Sequence, residues 1–213
     1  AVRKGNTYSL LVDSDNVLWF CGATGEGLAT MDLDHGGSDI PDVRLFRHSI
    51  TEPASISDDN VSVIFEDRYK DIWIGTLSGG INYFSKRTKK FGLVSAAYDG
   101  RPSVVNNHIN AFLEEEKFLW IGTEGGLDRL DKESGSYSHY TYDPDNPGSL
   151  GGNSVYTLFS DSRNNLWVGS WNGGLSLFNY GSNSFRRFLP DGKTGSLSNE
   201  NIYALAEDKN ADL

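Results

Sequence analysis

The chain has 213 residues, of which 38% are hydrophobic and 12% aromatic, enough apolar material for a packed core and too much for a disordered polymer. Lys plus Arg number 19 against 29 Asp plus Glu, a net charge of −10 that argues against a phosphate-binding surface and against nucleic acid as a partner. The single cysteine, Cys21, cannot form an internal disulfide, and no set of Cys and His has zinc spacing. No apolar run approaches the roughly 18 residues that a membrane span needs. Residue 1 is Ala rather than Met, and the repeat described next is interrupted at Leu213, so the sequence reads as a piece of something longer.

Internal periodicity organises the whole chain. Trp19, Trp73, Trp120 and Trp167 are spaced by 54, 47 and 47 residues, each after an aliphatic residue. The first unit, about residues 7–48, carries a turn at Asp13-Ser14-Asp15-Asn16, then Leu18-Trp19-Phe20-Cys21-Gly22 and the degenerate glycine station Gly25-Glu26-Gly27-Leu28. In the second, about 60–94, the same stations are Ile72-Trp73-Ile74-Gly75-Thr76 and Gly79-Gly80-Ile81. The third, about 107–142, has Trp120-Ile121-Gly122-Thr123 and Gly125-Gly126-Leu127, and the fourth, about 153–189, has Trp167-Val168-Gly169-Ser170 and Gly173-Gly174-Leu175. An aromatic segment follows each glycine pair. Then Ser55, Ser103, Ser149 and Ser196 each stand six residues before an aliphatic residue (Val61, Ile109, Val155, Ile202) that opens an apolar stretch ending in acid.

Each unit reads as four short strands; in the fourth they are about 153–160, 165–170, 174–179 and 184–189, separated by Asn, Asp, Gly and Ser clusters. Nothing reads as a useful helix. A four-stranded unit of about 47 residues falls in the range of propeller blades, so the expected fold is all-β: a partial β-propeller of four blades plus the first strand of a fifth, an orphan inner strand over 200–208. The glycine pairs that contain Gly80, Gly126 and Gly174 are expected to permit positive φ and close approach at the turn, the recurring acids Asp67, Glu115, Asp161 and Asp208 to lie in turns, and the repeated tryptophans to pack between neighbouring blades.

These stations resemble the two-component regulator propeller repeat, with its Leu-Trp-Ile-Gly-Thr core, its Gly-Gly-Leu and its Ser-Leu-Ser lead-in to a strand ending in Glu-Asp. Ile72-Trp73-Ile74-Gly75-Thr76, Gly174-Leu175 and Ser196-Leu197-Ser198 carry the likeness, which covers nearly the whole chain. The Gly-His and Trp-Asp marks of WD40 repeats are absent, and kelch repeats place their glycine pair before the Trp. The turn from Asp13 to Trp19 resembles the Asp-box of sialidases, but the later glycine stations do not belong to it. The resemblance implies the periplasmic sensor region of an inner-membrane hybrid histidine kinase that responds to glycan fragments. Its partners would be an oligosaccharide and further blades and downstream domains of the same chain; an open arc of blades would also expose apolar faces at both ends, which suits a homodimer.

The sequence offers little for catalysis. His35, His48 and His139 fall in outer parts of the units, and His108 stands just before an inner strand. Acids that follow the repeat suit turns better than a catalytic pair, the Asp13 turn lacks the Gly and closing Glu of a calcium loop, and the glycine pairs lack the Lys of a phosphate loop. No cofactor, metal or catalytic residue is therefore expected. Lys86-Arg87-Thr88-Lys89-Lys90 reads as a solvated turn, and Cys21 as a small buried hydrophobe in the second strand.

Binding is sought where the repeat is broken. Trp171 is the fifth Trp and lies outside the repeat, in the loop Ser170-Trp171-Asn172-Gly173-Gly174. An indole there suits stacking on a sugar ring. Candidate polar partners on the same propeller face are Asn60, Asn107, His108, Asn153 and Asn201, which precede inner strands, with Glu124 and Asn172. Two rivals are a propeller lyase or glycosidase with acids in the central funnel and a protein-interaction scaffold.

Overall fold

A computed structural model describes residues 7–22, 25–34, 43–52, 54–86, 90–96 and 103–213, without the side chain of Lys90. His35, Ala23, Thr24 and the span 87–89 of the basic turn lie outside the described residues. No helix forms among the described residues. They make sixteen strands in four antiparallel sheets, each with its strands hydrogen-bonded in chain order. The first sheet holds β1 (Thr7–Val12), β2 (Val17–Gly22), β3 (Leu28–Asp32) and β4 (Val43–Phe46); the second holds β5 (Val61–Glu66), β6 (Ile72–Thr76), β7 (Ile81–Ser85) and β8 (Lys90–Val94). The third holds β9 (Ile109–Glu114), β10 (Phe118–Thr123), β11 (Gly126–Asp131) and β12 (Tyr137–Tyr140); the fourth holds β13 (Ser154–Ser160), β14 (Leu166–Trp171), β15 (Gly174–Asn179) and β16 (Ser184–Phe188). Each sheet is a blade, and the fold is a partial β-propeller.

The chain divides into two compact units, Ala1–Ala96 with Asn107–Ile109, and Ala97–Asn106 with Asn110–Leu213. Each is built by burying an aromatic seam between two blades. In the first, Trp19 lies 5.4 Å from Phe84 and 6.3 Å from Phe46, within a core that includes Leu28, Ile56, Val61, Ile64 and Ile72. In the second, Trp120 lies 5.0 Å from Phe178 and 5.8 Å from Tyr140, above Leu127, Val155 and Leu166. The pattern is the same in both: the Trp of one blade meets the third-strand Phe of the next, as expected of a residue packed between blades. Such aromatic pairs add about 1 kcal/mol each beyond the area they bury.

One carboxylate organises each first hairpin. Asp13 Oδ1 accepts the backbone N–H groups of Asp15 and Val17, both at 2.9 Å, and its Oδ2 accepts Trp19 Nε1 at 2.7 Å. Asp67 serves Tyr69, Asp71 and Trp73 in the same way, and Asp161 serves Arg163, Asn165 and Trp167. The acid thus closes the turn and seats the repeat Trp. The third blade departs: its turn is shorter, Glu114 pairs with Lys132, and the buried Nε1 of Trp120 has no hydrogen-bond partner among the described residues.

The glycine stations answer two steric demands. Gly80, Gly126 and Gly174 have φ of 78°, 143° and 63°. A Cβ at Gly80 would lie 2.5 Å from the Val94 carbonyl oxygen and one at Gly126 2.6 Å from that of Tyr140, so the fourth strand closes the space a side chain would need. At Gly75 a Cβ would stand 2.6 Å from Val63, and at Gly169 2.6 Å from Thr157 and 2.7 Å from Ile202. A Cβ at Gly122 would stand 2.8 Å from Val155. In the first blade Cys21 occupies this station opposite Ser9, buried, with its thiol 3.3 Å from the Val61 carbonyl.

The orphan inner strand expected over 200–208 is not a strand. A ladder needs a partner, and no described strand pairs with these residues. The segment is nonetheless fixed against the fourth blade: Ile202 N–H donates to the Ser170 carbonyl at 3.1 Å, Gly174 N–H to that of Glu200 at 2.8 Å, and Ser162 donates through N–H and hydroxyl to Glu207, both at 2.8 Å. The Asp turn also forms, with Asp208 Oδ1 accepting the N–H groups of Asn210 and Asp212 at 2.8 and 3.0 Å.

Candidate functional site

The inner-strand residue after each opening aliphatic is Ser62 in the first unit and Asn110 in the second. Both bind main chain: the Ser62 hydroxyl donates to the Ile109 carbonyl, and Asn110 Nδ2 to the Val155 carbonyl at 3.1 Å. Farther along, the station changes type to Tyr156 and Tyr203. With no amide or short hydroxyl there, the two rings turn to each other and to Trp171.

Tyr156 and Tyr203 have ring centroids 5.5 Å apart at 77°, Trp171 and Tyr203 5.6 Å apart at 74°, and Tyr156 and Trp171 6.2 Å apart at 41°. Trp171 is 41% and Tyr203 58% exposed, so large ring surface remains open to solvent. Three separate segments supply the cluster. Trp171 was expected at a loop tip; it is the last residue of β14, paired across to Ser154, and this ladder position fixes its direction.

The loop behind Trp171 is held from outside. In the second and third blades a threonine braces the equivalent loop, Thr76 bonding Gly79 N–H and the Gly80 carbonyl, Thr123 bonding Gly125 N–H and the Gly126 carbonyl. Ser170 stands at this station in the fourth blade, and its buried hydroxyl has no partner among the described residues. Asn172, at a φ of 52°, instead donates its N–H to Asn201 Oδ1 at 2.8 Å. The segment that carries Tyr203 therefore also positions Trp171.

Of the expected polar partners, Asn172 and Asn201 meet at the cluster. Glu124 reaches it indirectly, accepting from the Ser154 hydroxyl and from Asn110 Nδ2 at 3.3 Å. Asn153 Oδ1 is turned away, accepting Tyr142 N–H at 2.6 Å. In the first unit Asn107 Oδ1 accepts Ala96 N–H at 2.6 Å, Asn60 Nδ2 donates to Asp58 at 2.9 Å, and His108 is half-buried before β9. The asparagines that precede the inner strands thus bind main chain and turns. Sequence reasoning missed Tyr156 and Tyr203, whose signal was the change from Ser62 and Asn110 to tyrosine.

Other titratable groups serve the frame. Lys86, expected in a solvated turn, is drawn in by Glu66 at 2.8 Å, Asp13 at 2.9 Å and Asp15 at 3.0 Å. Burial alone would lower its pKa; the three carboxylates outweigh burial and hold it above the ordinary lysine value. His48 Nδ1 lies 3.0 Å from the Ile56 carbonyl, and His139 Nδ1 2.6 Å from the fully buried Asp128. Burial raises the Asp128 pKa, and bonds from His139 and Val105 N–H oppose it. Among the described residues no group of three His, Cys, Asp or Glu is placed to hold a metal ion, and no helix is long and apolar enough to cross a membrane. The chemistry open to the Trp171 cluster is stacking and hydrogen bonding.

The family model of the two component regulator propeller matches residues 55–78 and 149–172, each running from a Ser lead-in to a second strand. Over 106 residues the chain is 28% identical to histidine kinase P4 of Formosa agariphila, a span of 46% of this chain and 8% of that protein. The extracellular domain of a hybrid two component system from B. thetaiotaomicron is 26% identical with a TM-score of 0.74, covering 97% of this chain and 28% of that one. Virginiamycin B lyase from Staphylococcus aureus, at 13% identity and a TM-score of 0.60, covers 88% of this chain and 57% of its own, and shares the fold alone. The chain thus spans a small part of the signalling proteins it matches.

Proposed function

We propose that this two-component regulator propeller is the ligand-sensing part of an extracytoplasmic sensor, one that detects a carbohydrate and signals to a histidine kinase domain elsewhere in a longer, inner-membrane protein. The observation that carries the reading is the exposed cluster of Trp171, Tyr156 and Tyr203, formed where the repeat is broken. Aromatic faces with a few polar groups, here Asn172, Asn201 and Glu124, suit a sugar ring. Binding acts by population shift: a ligand favours the arrangement in which Trp171 and Tyr203 both face it, and the bond between Asn172 and Asn201 passes that choice to the segment 200–208.

The test is titration calorimetry of the chain with a panel of oligosaccharides, beside Trp171→Ala and Tyr203→Ala. Saturable binding that either variant weakens about tenfold supports the reading. A panel without heat overturns it. The second reading is a protein-interaction scaffold or a homodimer, favoured by Leu10 and Leu45 of the first blade, 66% and 55% exposed; a mass above the monomer by sedimentation would support it.

A further inference from the structure

The segment that leads from β12 into β13 ends beside Trp171. Ser154, the first residue of β13, pairs across to Trp171, and Asn153 before it accepts Tyr142 N–H through Oδ1 at 2.6 Å. Tyr142 and Trp171 therefore stand at the same rim of the fourth blade. One cross-strand step, one residue step and one bonded step separate them, on the order of 10 Å between backbones and more than a single sugar ring spans. The bond to Tyr142 N–H recurs in the first unit, where His48 N–H donates to Asp59 and Ala96 N–H to Asn107, both at 2.6 Å. The station fixes a backbone and leaves the side chain free to vary; only here is it a tyrosine.

The Tyr142 ring is held as a platform. Arg187 on β16 donates through Nε to the Ser149 carbonyl at 2.8 Å, and through Nη2 to the carbonyls of Asn146 and Asp143 at 2.7 and 3.1 Å. So anchored, its guanidinium carbon lies 5.0 Å from the Tyr142 ring centroid. The cation backs the ring, yet Tyr142 remains 43% exposed. Arg187 breaks the repeat as Trp171 does: Leu45, Leu93 and His139 stand at its station in the other blades. In the second blade Asp58 bridges from the lead-in to the next loop, its Oδ2 accepting Ser78 N–H at 3.1 Å. Gly152 takes the station of Asp58 in the fourth blade, so this bridging side chain is missing between the two aromatic residues.

We propose that Tyr142 is a second stacking platform and that the ligand is a linear neutral saccharide longer than a disaccharide, laid from Trp171 to Tyr142. The proposal rests on the sugar reading of the Trp171 cluster and adds a length requirement to it. Both residues offer a ring face to an apolar sugar face, and the Glu124 carboxylate bonded to Ser154 disfavours an anionic sugar.

The probes are cellobiose, cellotriose and cellotetraose, neutral chains of all-equatorial rings, titrated into the whole chain by calorimetry. Cellotetraose is expected to bind about tenfold more tightly than cellobiose through one more stacked ring. Tyr142→Ala, which copies Ala96, should remove that gain and leave cellobiose binding unchanged, while Tyr142→Phe should keep it. Tyr142→Leu, which retains bulk beside Arg187 without a flat face, serves if the Ala variant does not fold. Saturable binding by none of the three, equal affinity for cellobiose and cellotetraose, or a gain that survives in a folded Tyr142→Ala or Tyr142→Leu protein would each overturn the proposal. Any panel sugar whose binding needs Trp171 but neither Tyr142 nor chain length would leave the sugar reading standing while this one falls, so the two failures are distinguishable.

Discussion

Trp167 Nε1 lies 2.9 Å from Asp161 Oδ2, six residues earlier in the chain, and this bond joins a turn to the aromatic seam of its blade. Burial would raise the Asp161 pKa, but the donors from Trp167, Asn165 and Arg163 outweigh it and hold it at about 2. A carboxyl whose folded pKa lies below its unfolded value contributes stability that is present above the unfolded pKa and lost as pH falls through the folded one. The Trp167 indole N–H resonance should therefore shift as pH falls from about 3 to about 1, with a midpoint at about 2. Asp161→Asn should abolish that transition; its persistence would show that another group is responsible.

The third blade provides a control for the same bond. Trp73 donates to Asp67 at 2.9 Å, whereas the Trp120 Nε1 has no partner among the described residues. Trp→Phe removes similar volume at both positions, but only at Trp73 does it strand an acceptor. Trp73→Phe should cost about 1.5 kcal/mol more than Trp120→Phe in urea unfolding, the usual worth of a hydrogen bond to a charged group. Equal costs would show that the indole bond contributes nothing net.

Backbone conformation separates two glycines of the second blade. Gly80 combines a φ of 78° with a fourth-strand carbonyl 2.5 Å from any Cβ, while a Cβ at Gly92 would meet nothing closer than 3.9 Å. Gly80→Ala should destabilise by more than about 2 kcal/mol, the left-handed cost plus a displaced strand. Gly92→Ala should be near neutral. Thermal melts of the two variants decide it.

Asp128 and His139 form an asymmetric pair, one fully buried and the other half exposed. Asn82 occupies the station of Asp128 in the second blade and accepts Ser57 N–H at 2.9 Å, so a neutral amide does this work. Because burial raises the Asp128 pKa, its contribution favours the fold at low pH and is lost as pH rises past the unfolded value. Asp128→Asn should be harmless at neutral pH and become relatively more favourable above about pH 4. His139→Ala, which leaves the buried carboxyl with the Val105 N–H bond alone, should cost about 1 kcal/mol. The reverse order of the two costs would refute the assignment.

The fold was legible because each station of the repeat answers a local demand. Trp19, Trp73 and Trp167 need an acid six residues earlier, and Gly80 needs a positive φ; both are written in sequence order. The Trp171 site was half legible. Trp171 broke the repeat visibly, but Tyr156 and Tyr203 sit where any inner-strand residue could, and only packing shows that their rings meet. The asparagines before the inner strands looked like ligand groups because an amide and a turn acceptor are the same residue in sequence. Lys86 looked solvated because Asp13 and Glu66, which hold it, are distant in sequence.

The turn at Asp208 closes on two backbone N–H groups that donate to its carboxylate, although the segment leading into it has no ladder. Its geometry is complete before any hairpin is. Contacts this near in sequence close fast and need no distant partner. A repeat with such turns can fold in the order of synthesis, each turn fixing the register of a hairpin as its second arm leaves the ribosome, and each finished blade offering an indole face to the next.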